Sequence, residues 1–485
     1  MNKVLLISLA VVLALSVGLV GCATEEEPDA IKIGAVRSLS GPLEVIGNFA
    51  CGPVMELWEQ AVNAAGGIYV EEYGKNLTLN ITIRDDMSDN TTMTNHLTDM
   101  VTSGDYDFVL PPVGTEFLQT AAKICSDNKY VLIGAEYGCG LTIQNTLNQY
   151  PYFFNILNYS TRNQMEKLFE ILRDWQDRSV DPATTPMNVY IIYNANLHGN
   201  EYKDAFVAEA AKYGGNFTIA KEVAVAPLAT NVTAQLKEAY EWPGGIELFC
   251  SFTYPHTSLA TIKQAADNGY NFDAMLVGPG CNFEYTLLPQ GHPLGTGVGA
   301  GNMTGVMGFG AWNEYSPAAA EVVEALIGYL TDVNWLELER GRYSVDWWGA
   351  LPYYAGLQCL QQAIERAGTL DNDDVRAELA AAWPGSSTNP PFDTVLGPAW
   401  FTDATGNPVG PNSGGLLAKE CYAGQIGQWQ HVAEANNWLP DGVTGTARVK
   451  PYGIADAATE WWIFEVIDLD GNQTAPGIYP KQNWS

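Results

Sequence analysis

The sequence predicts an α/β protein built of two doubly wound lobes, each a parallel sheet covered by helices on both faces. Strand-like and helix-like segments alternate with little interruption from Ile31 to Val277, which is the pattern of strands joined by crossover helices. The alternation falls into two blocks of about five units, divided near residues 154–160, where a polar stretch follows a strand-like segment. The 455 residues after Ala30 are also too many for one compact core.

The first block opens with the short apolar strand Ile31–Val36. Pro53 then stands where a helix begins, Val54, Leu57, Trp58, Ala61, Val62 and Ala65 follow at helical spacing, and Gly66–Gly67 ends the run. Leu77, Leu79, Ile81 and Ile83 alternate with polar residues as a half-buried strand does. A helix over 91–101 leads to a strand at 107–110, and a helix over 117–126 leads to a strand at 130–134. In the second block, helices over 162–175, 201–213, 232–241 and 258–268 alternate with strands at 188–193, 218–225, 246–252 and 274–277.

Past Gly278 the rhythm loosens. Residues 291–310 hold eight glycines, but no Lys-Ser/Thr follows them as a phosphate cradle requires, so they read as a connection between lobes. Amphipathic helices are expected over 318–331 and 350–367, and short strands such as 461–467 in the Pro-, Gly- and aromatic-rich remainder.

Composition narrows the function. A hydrophobic fraction of 47 % with 16 % charged residues supports a sizeable core and argues against disorder. Lys and Arg number 24 against 55 Asp and Glu, a net charge of −31; such a surface repels nucleic acid and anionic headgroups. Five scattered histidines form no HExxH or His/Cys cluster, so neither a metal nor another cofactor is expected. Apart from Cys22 there are seven cysteines, an odd number without a CxxC pair, and no disulfide is assigned. An enzyme, such as a secreted hydrolase using two carboxylates, has only the abundance of acids in its favour, since no GxSxG nucleophile motif occurs.

The amino terminus indicates where the protein works. Lys3 precedes an almost unbroken apolar run, Val4 to Val20, and Leu19-Val20-Gly21-Cys22 closes it with small residues before a cysteine. Charge, apolar core and small-residue cleavage site in this order make a signal peptide, and the segment resembles a bacterial lipoprotein signal. Residues 1–21 would be removed and Cys22 would carry a diacylglyceryl group. Residues 22–30, with Glu25-Glu26-Glu27-Pro28, read as a flexible tether. An uncleaved anchor is the alternative, for which the apolar run is marginal in length.

Further motifs carry a family resemblance. Ile31-Lys32-Ile33-Gly34-Ala35-Val36, Leu39-Ser40-Gly41-Pro42 and Ala64-Ala65-Gly66-Gly67-Ile68 resemble the opening of type I periplasmic solute-binding proteins. More narrowly, they are similar to the branched-chain amino acid (Leu/Ile/Val) binding family of ABC transporters. Arg84-Asp85-Asp86, Val113-Gly114-Thr115, Val277-Gly278-Pro279 and the ending from Trp461 to Lys481 fit the same order. The resemblance implies two αβα lobes joined by a three-strand hinge that crosses near 155–160, 307–312 and 393–401. The N-terminal lobe would comprise 31–157 plus 310–395, and the C-terminal lobe 158–309 plus 396–485. It also implies an extracytoplasmic protein that captures a small polar ligand and hands it to ABC permease and ATPase subunits. A sensing module of the same fold is the alternative; the compact end at Ser485 favours a stand-alone capture protein.

Candidate ligand contacts follow from the resemblance. Gly114 and Thr115 match a segment that holds a ligand carboxylate in amino-acid-binding members. The next such segment reads Gly134-Ala135-Glu136-Tyr137-Gly138, with an acid where hydroxyls are usual. Gly280 stands where many members place an acid for the ligand ammonium, so Glu136 is expected to replace that charge, with Tyr137 and Tyr254 covering the ligand. Ser40 and His198 are further candidates on loops, although His198 reads first as a solvated loop residue; Trp312, Trp347 and Trp348 read as core or as an apolar wall. For the terminus the test is direct: Cys22→Ser is expected to release the protein from membranes or block its processing, whereas mass spectrometry of a mature, unmodified N-terminus elsewhere would refute lipidation.

Overall fold

The computed structural model describes residues 27–135, 146–156, 164–178, 186–278, 298, 300–303, 305–310, 317–332, 349–418, 421, 425–431, 454–455 and 461–466. In the first lobe, β1 (Ala30–Arg37) pairs in parallel with β3 (Lys75–Asp85) on one side and β4 (Phe108–Leu110) on the other. A short β2 (Ile68–Val70) folds back antiparallel on β3. A second section aligns β5 (Leu132–Gly134) with β6 (Phe153–Asn155), and its β5 edge lies against β4. The parallel strands therefore run β3-β1-β4-β5-β6, a doubly wound order whose chain reverses direction across the sheet between β1 and β4.

The second lobe repeats that order. β7 (Met187–Asn194), β8 (Phe217–Val225), β9 (Leu248–Phe252), β10 (Ala274–Gly278) and β11 (Val306–Gly310) are arranged β8-β7-β9-β10-β11, with the switch between β7 and β9. Beyond β11 the sheet continues antiparallel through β16 (Gln425–His431), β18 (Trp461–Val466) and β17 (Ile454–Ala455). β9, β10 and β11 are buried along their whole length, so they read as continuous apolar runs instead of alternating. The glycine-rich stretch is thus more than a connection: its end, Val306–Gly310, is an inner strand between β10 and β16.

Helices cover the sheets where apolar spacing places them. In α1 (Gly52–Ala64), Val54, Trp58 and Val62 fall four apart on one buried face. Its entry is a π-helical turn, Val45–Cys51, which no periodicity announced. α2 (Asn90–Ser103) is capped by the Asp89 side chain, which accepts from the Thr92 amide. α3 (Thr115–Asp127), α4 (Gln164–Arg178), α5 (Leu197–Lys212), α6 (Thr233–Tyr240) and α7 (Pro255–Asn268) follow their strands. α8 (Pro317–Asp332) and α9 (Ala350–Ala367) return to the first lobe and pack on α1. α10 (Asn372–Ala381), which the sequence reading omitted, packs on α9 and starts at Asp371, whose carboxylate accepts from the Asp373 and Asp374 amides.

One boundary is corrected. Residues from 396 onward were expected in the second lobe, with a crossing near 393–401. β12 (Phe392–Thr394) and β13 (Gly397–Ala399) form a hairpin on α9. β14 (Phe401–Thr402) and β15 (Gly415–Leu417) join the first lobe, β15 lying parallel to β6. The physical reason is an open edge: β6 is buried along its length, with two phenylalanines and Asn155, and the buried Gly415-Leu416-Leu417 run covers its unpaired backbone. Arg376 fastens the segment, donating from Nε to the Pro151 carbonyl and from Nη2 to the Gly410 and Ser413 carbonyls. The next described strand, β16 (Gln425–His431), pairs with β11 of the second lobe.

Trp58 is 1 % exposed, and its indole N–H donates to Gln361 Oε1 on α9 at 3.3 Å. Trp58→Ala is expected to destabilise by about 3–5 kcal/mol, whereas Leu228→Ser, at an exposed site, should stay within about 0.5 kcal/mol. Denaturant titration followed by circular dichroism measures both.

Candidate functional site

In doubly wound sheets, ligands gather outside the carboxyl ends of the strands at the switch point. Here the two switch points face each other. The first lobe contributes the segment from Pro111 to Glu116, between β4 and the first turn of α3. The second contributes Asn194 to His198, after β7, and Thr253–Tyr254, after β9.

Gly114 makes the first of these turns. Its φ of 91° suits glycine, and it is the N-cap of α3, leaving that helix without a capping side chain. Thr115 follows, 1 % exposed. Arg37, at the end of β1 and wholly buried, supports the turn from below by donating to the Pro111 carbonyl at 3.0 Å. It also donates to the Gly47 carbonyl and stacks over Tyr353.

On the opposite side α5 begins at Leu197, four residues before the expected start, so His198 lies in its first turn. It is buried, not a solvated loop residue. Gly199 permits this: a Cβ there would meet the Asn194 carbonyl oxygen at 2.1 Å, so only glycine lets the helix press onto the end of β7. The Asn194 side chain accepts the Tyr254 amide at 2.6 Å and donates to the Ala226 carbonyl, fixing Tyr254 as the N-cap of α7.

These groups meet across the lobes. Thr115 Oγ1 lies 3.3 Å from His198 Nδ1, and the Thr115 amide donates to the Tyr254 hydroxyl at 3.2 Å. That hydroxyl donates to Glu116 Oε2 at 2.5 Å, and the His198 amide donates to Glu116 Oε1 at 3.3 Å. The His198 and Tyr254 rings stack 4.2 Å apart, 11° from parallel. Burial, then the adjacent Glu116 charge and hydrogen bond, push the Tyr254 phenol well above its ordinary range, so it remains a donor. Burial lowers the His198 imidazole to about 3, against a weaker upward pull from the Thr253 backbone.

Four expected residues, Gly114, Thr115, His198 and Tyr254, are thus brought together. Glu136, Tyr137 and Gly280 lie outside the described residues, as do Trp312, Trp347, Trp348 and the lipidation candidate Cys22. Ser40 is half-buried, but its hydroxyl is committed to Asp85 Oδ2 at 2.7 Å. Leu39 and Ser38 bond likewise to Asp85 and Asp86, so Ser40 ties the loop after β1 to the loop after β3. Sequence reasoning missed Glu116, Asn194 and Arg37. Glu116 had a signal: it directly follows Thr115, at the start of a helix expected two residues later. Among the described residues no three His, Cys, Asp or Glu converge as a metal site, and no helix is long and apolar enough to cross a membrane.

Two doubly wound lobes with facing switch points and a buried polar cluster between them define a cleft-binding class of protein. A family model described as periplasmic binding protein matches residues 30–412, and the chain belongs to that family, whose members work outside the cytoplasm. Among solved structures it is similar to a leucine binding protein from Thermotoga maritima, with a TM-score of 0.59 at 12 % identity over 82 % of this chain and 94 % of that one. A branched-chain amino acid transporter substrate binding protein from Streptococcus pneumoniae, in complex with isoleucine, gives 0.60 at 16 % over 83 % and 96 %. An ABC-transporter solute binding protein from Rhodopseudomonas palustris, in complex with p-hydroxybenzoic acid, gives 0.57 at 15 % over 83 % and 91 %.

The buried imidazole makes stability depend on pH. An unfolded histidine takes up a proton near pH 6.5, while the folded one stays neutral down to about 3. Above 6.5 neither state binds the proton and the group contributes nothing; below it the unfolded chain alone gains one, and native stability falls by about 1.4 kcal/mol per pH unit. Taking the protein from pH 7.5 to 5.0 should therefore destabilise the wild type about 2 kcal/mol more than His198→Gln, as paired calorimetric melts would show.

Proposed function

We propose that this protein is an extracytoplasmic, lipid-anchored solute-binding protein. It captures a small polar solute, amino acid or amide-like, between its two lobes and delivers it to the permease and ATPase subunits of an ABC importer. The observation that carries the reading is the convergence of Thr115, His198 and Tyr254, from opposite lobes, on one buried cluster. A surface serving only to hold two lobes together has no need of two facing switch points. A cleft that must enclose a polar molecule does, because strand ends and helix N-termini supply oriented amides there.

Family membership and the likeness to solute-bound proteins support capture. The lipoprotein-like start at Cys22 and the absence of any catalytic motif in the sequence support tethered delivery over chemistry. Three chain passages between the lobes suit a hinge that closes on the solute, and occupancy is then signalled by shape. Glu136, Tyr137, Tyr254 and Gly280 are proposed to line the same cleft.

A thermal-shift screen of amino acids, amides, urea-like compounds, polyols and aromatic acids identifies the solute, and small-angle scattering tests the motion. A saturating solute is expected to stabilise the protein and reduce its radius of gyration relative to an open ligand-free form. An unchanged radius, with the ligand-free form shown to be open, would refute closure.

A further inference from the structure

Glu116 occupies an unusual place in the cleft. Its carboxylate lies where two helix N-termini from opposite lobes converge: its own, α3, which has no capping side chain, and α5, whose His198 amide it accepts. Helix N-termini facing a cleft are what would hold an anionic ligand. At α5 that role is already taken by a side chain of the protein. The second lobe's other donor at this point, the Tyr254 hydroxyl, is likewise spent on Glu116.

No Lys or Arg pairs with Glu116 among the described residues; its side-chain partners are the neutral His198 amide and Tyr254 hydroxyl. Arg37, the buried cation beneath, is turned to the Pro111 and Gly47 carbonyls. The Glu116 carboxylate therefore faces the cluster without a cationic partner among the described residues, and the second lobe's two donors at this point, the His198 amide and the Tyr254 hydroxyl, are filled by it.

We propose that Glu116 sets the ligand class. The solute group that meets the first lobe is a cation or a neutral hydrogen-bond donor, such as an ammonium, amidine or amide. An acid whose only head group is a carboxylate is rejected, because it meets a like charge and finds the His198 amide and the Tyr254 hydroxyl already bonded. This rests on the capture reading above and adds to it which chemistry the cleft selects.

The test measures the mature protein by isothermal titration calorimetry against matched acids, amides and amines on aliphatic, aromatic and α-amino skeletons. Benzoate, benzamide and benzylamine form one set; isoleucine and isoleucinamide form another. The wild type is expected to bind an amine or amide at least tenfold more tightly than the simple acid of the same skeleton. Glu116→Gln keeps an acceptor for Tyr254 while removing the charge, and should narrow that preference at least tenfold. A simple carboxylate as the best wild-type ligand overturns the proposal and leaves capture intact, as does an unchanged preference in a folded Glu116→Gln. Binding of no compound on any skeleton overturns both. The wild-type comparison decides even if the variant fails to fold.

Discussion

Arg37 ends β1 with its guanidinium wholly out of water, and a cation so placed must be given acceptors by whatever surrounds it. The Pro111 carbonyl comes from the loop after β4, the Gly47 carbonyl from the π-helical turn, and the Tyr353 ring from α9. Three segments far apart in sequence are thereby referred to one point under the cleft. Gly114, Thr115 and Glu116 stand just beyond Pro111, so the position of the first-lobe wall depends on this charge being satisfied. Removing it would leave carbonyls without donors, and a lysine would replace a planar fork with a single point.

Much of the architecture was legible because strands and crossover helices have different apolar periods. Val54, Trp58 and Val62, or Leu77 and Leu79, declare their elements locally. What escaped was decided by partners distant in sequence. Gly415-Leu416-Leu417 is too short to declare a lobe, and its assignment depends on the open edge of β6, about 260 residues earlier. The Val306–Gly310 strand was hidden from periodicity by its glycines, and only the family resemblance pointed to a crossing near 307–312; the glycines are tolerated because the strand is enclosed by β10 and β16 and needs little side-chain bulk.

The site was legible by a different route. Gly114, Thr115 and Tyr254 came from matching the ends of strands to a family pattern, and the structure brings them together. His198 was found as a residue but misjudged as an environment, because the start of α5 depends on Gly199 fitting against Asn194, a contact no local pattern reveals. Glu116 was overlooked since a helix's first turn is usually solvated. Only the opposite lobe turns its side chain into part of an enclosed cluster. The polar groups there satisfy one another almost without formal cations, which is how a cleft can bury them at tolerable cost.

The return of β14 and β15 to the first lobe bears on how the chain assembles. A secreted polypeptide emerges amino end first, and its second lobe has its five parallel strands once Gly310 has passed, although β11 waits for β16 to cover its edge. The first lobe must wait for residue 417 before β6 has both neighbours. An edge left open over that interval is a template for wrong pairing. Both lobes therefore wait for late chain, β6 for β15 and β11 for β16, and the β6–β15 ladder, which spans about 260 residues and carries a high loop-closure cost, belongs to a late stage of folding.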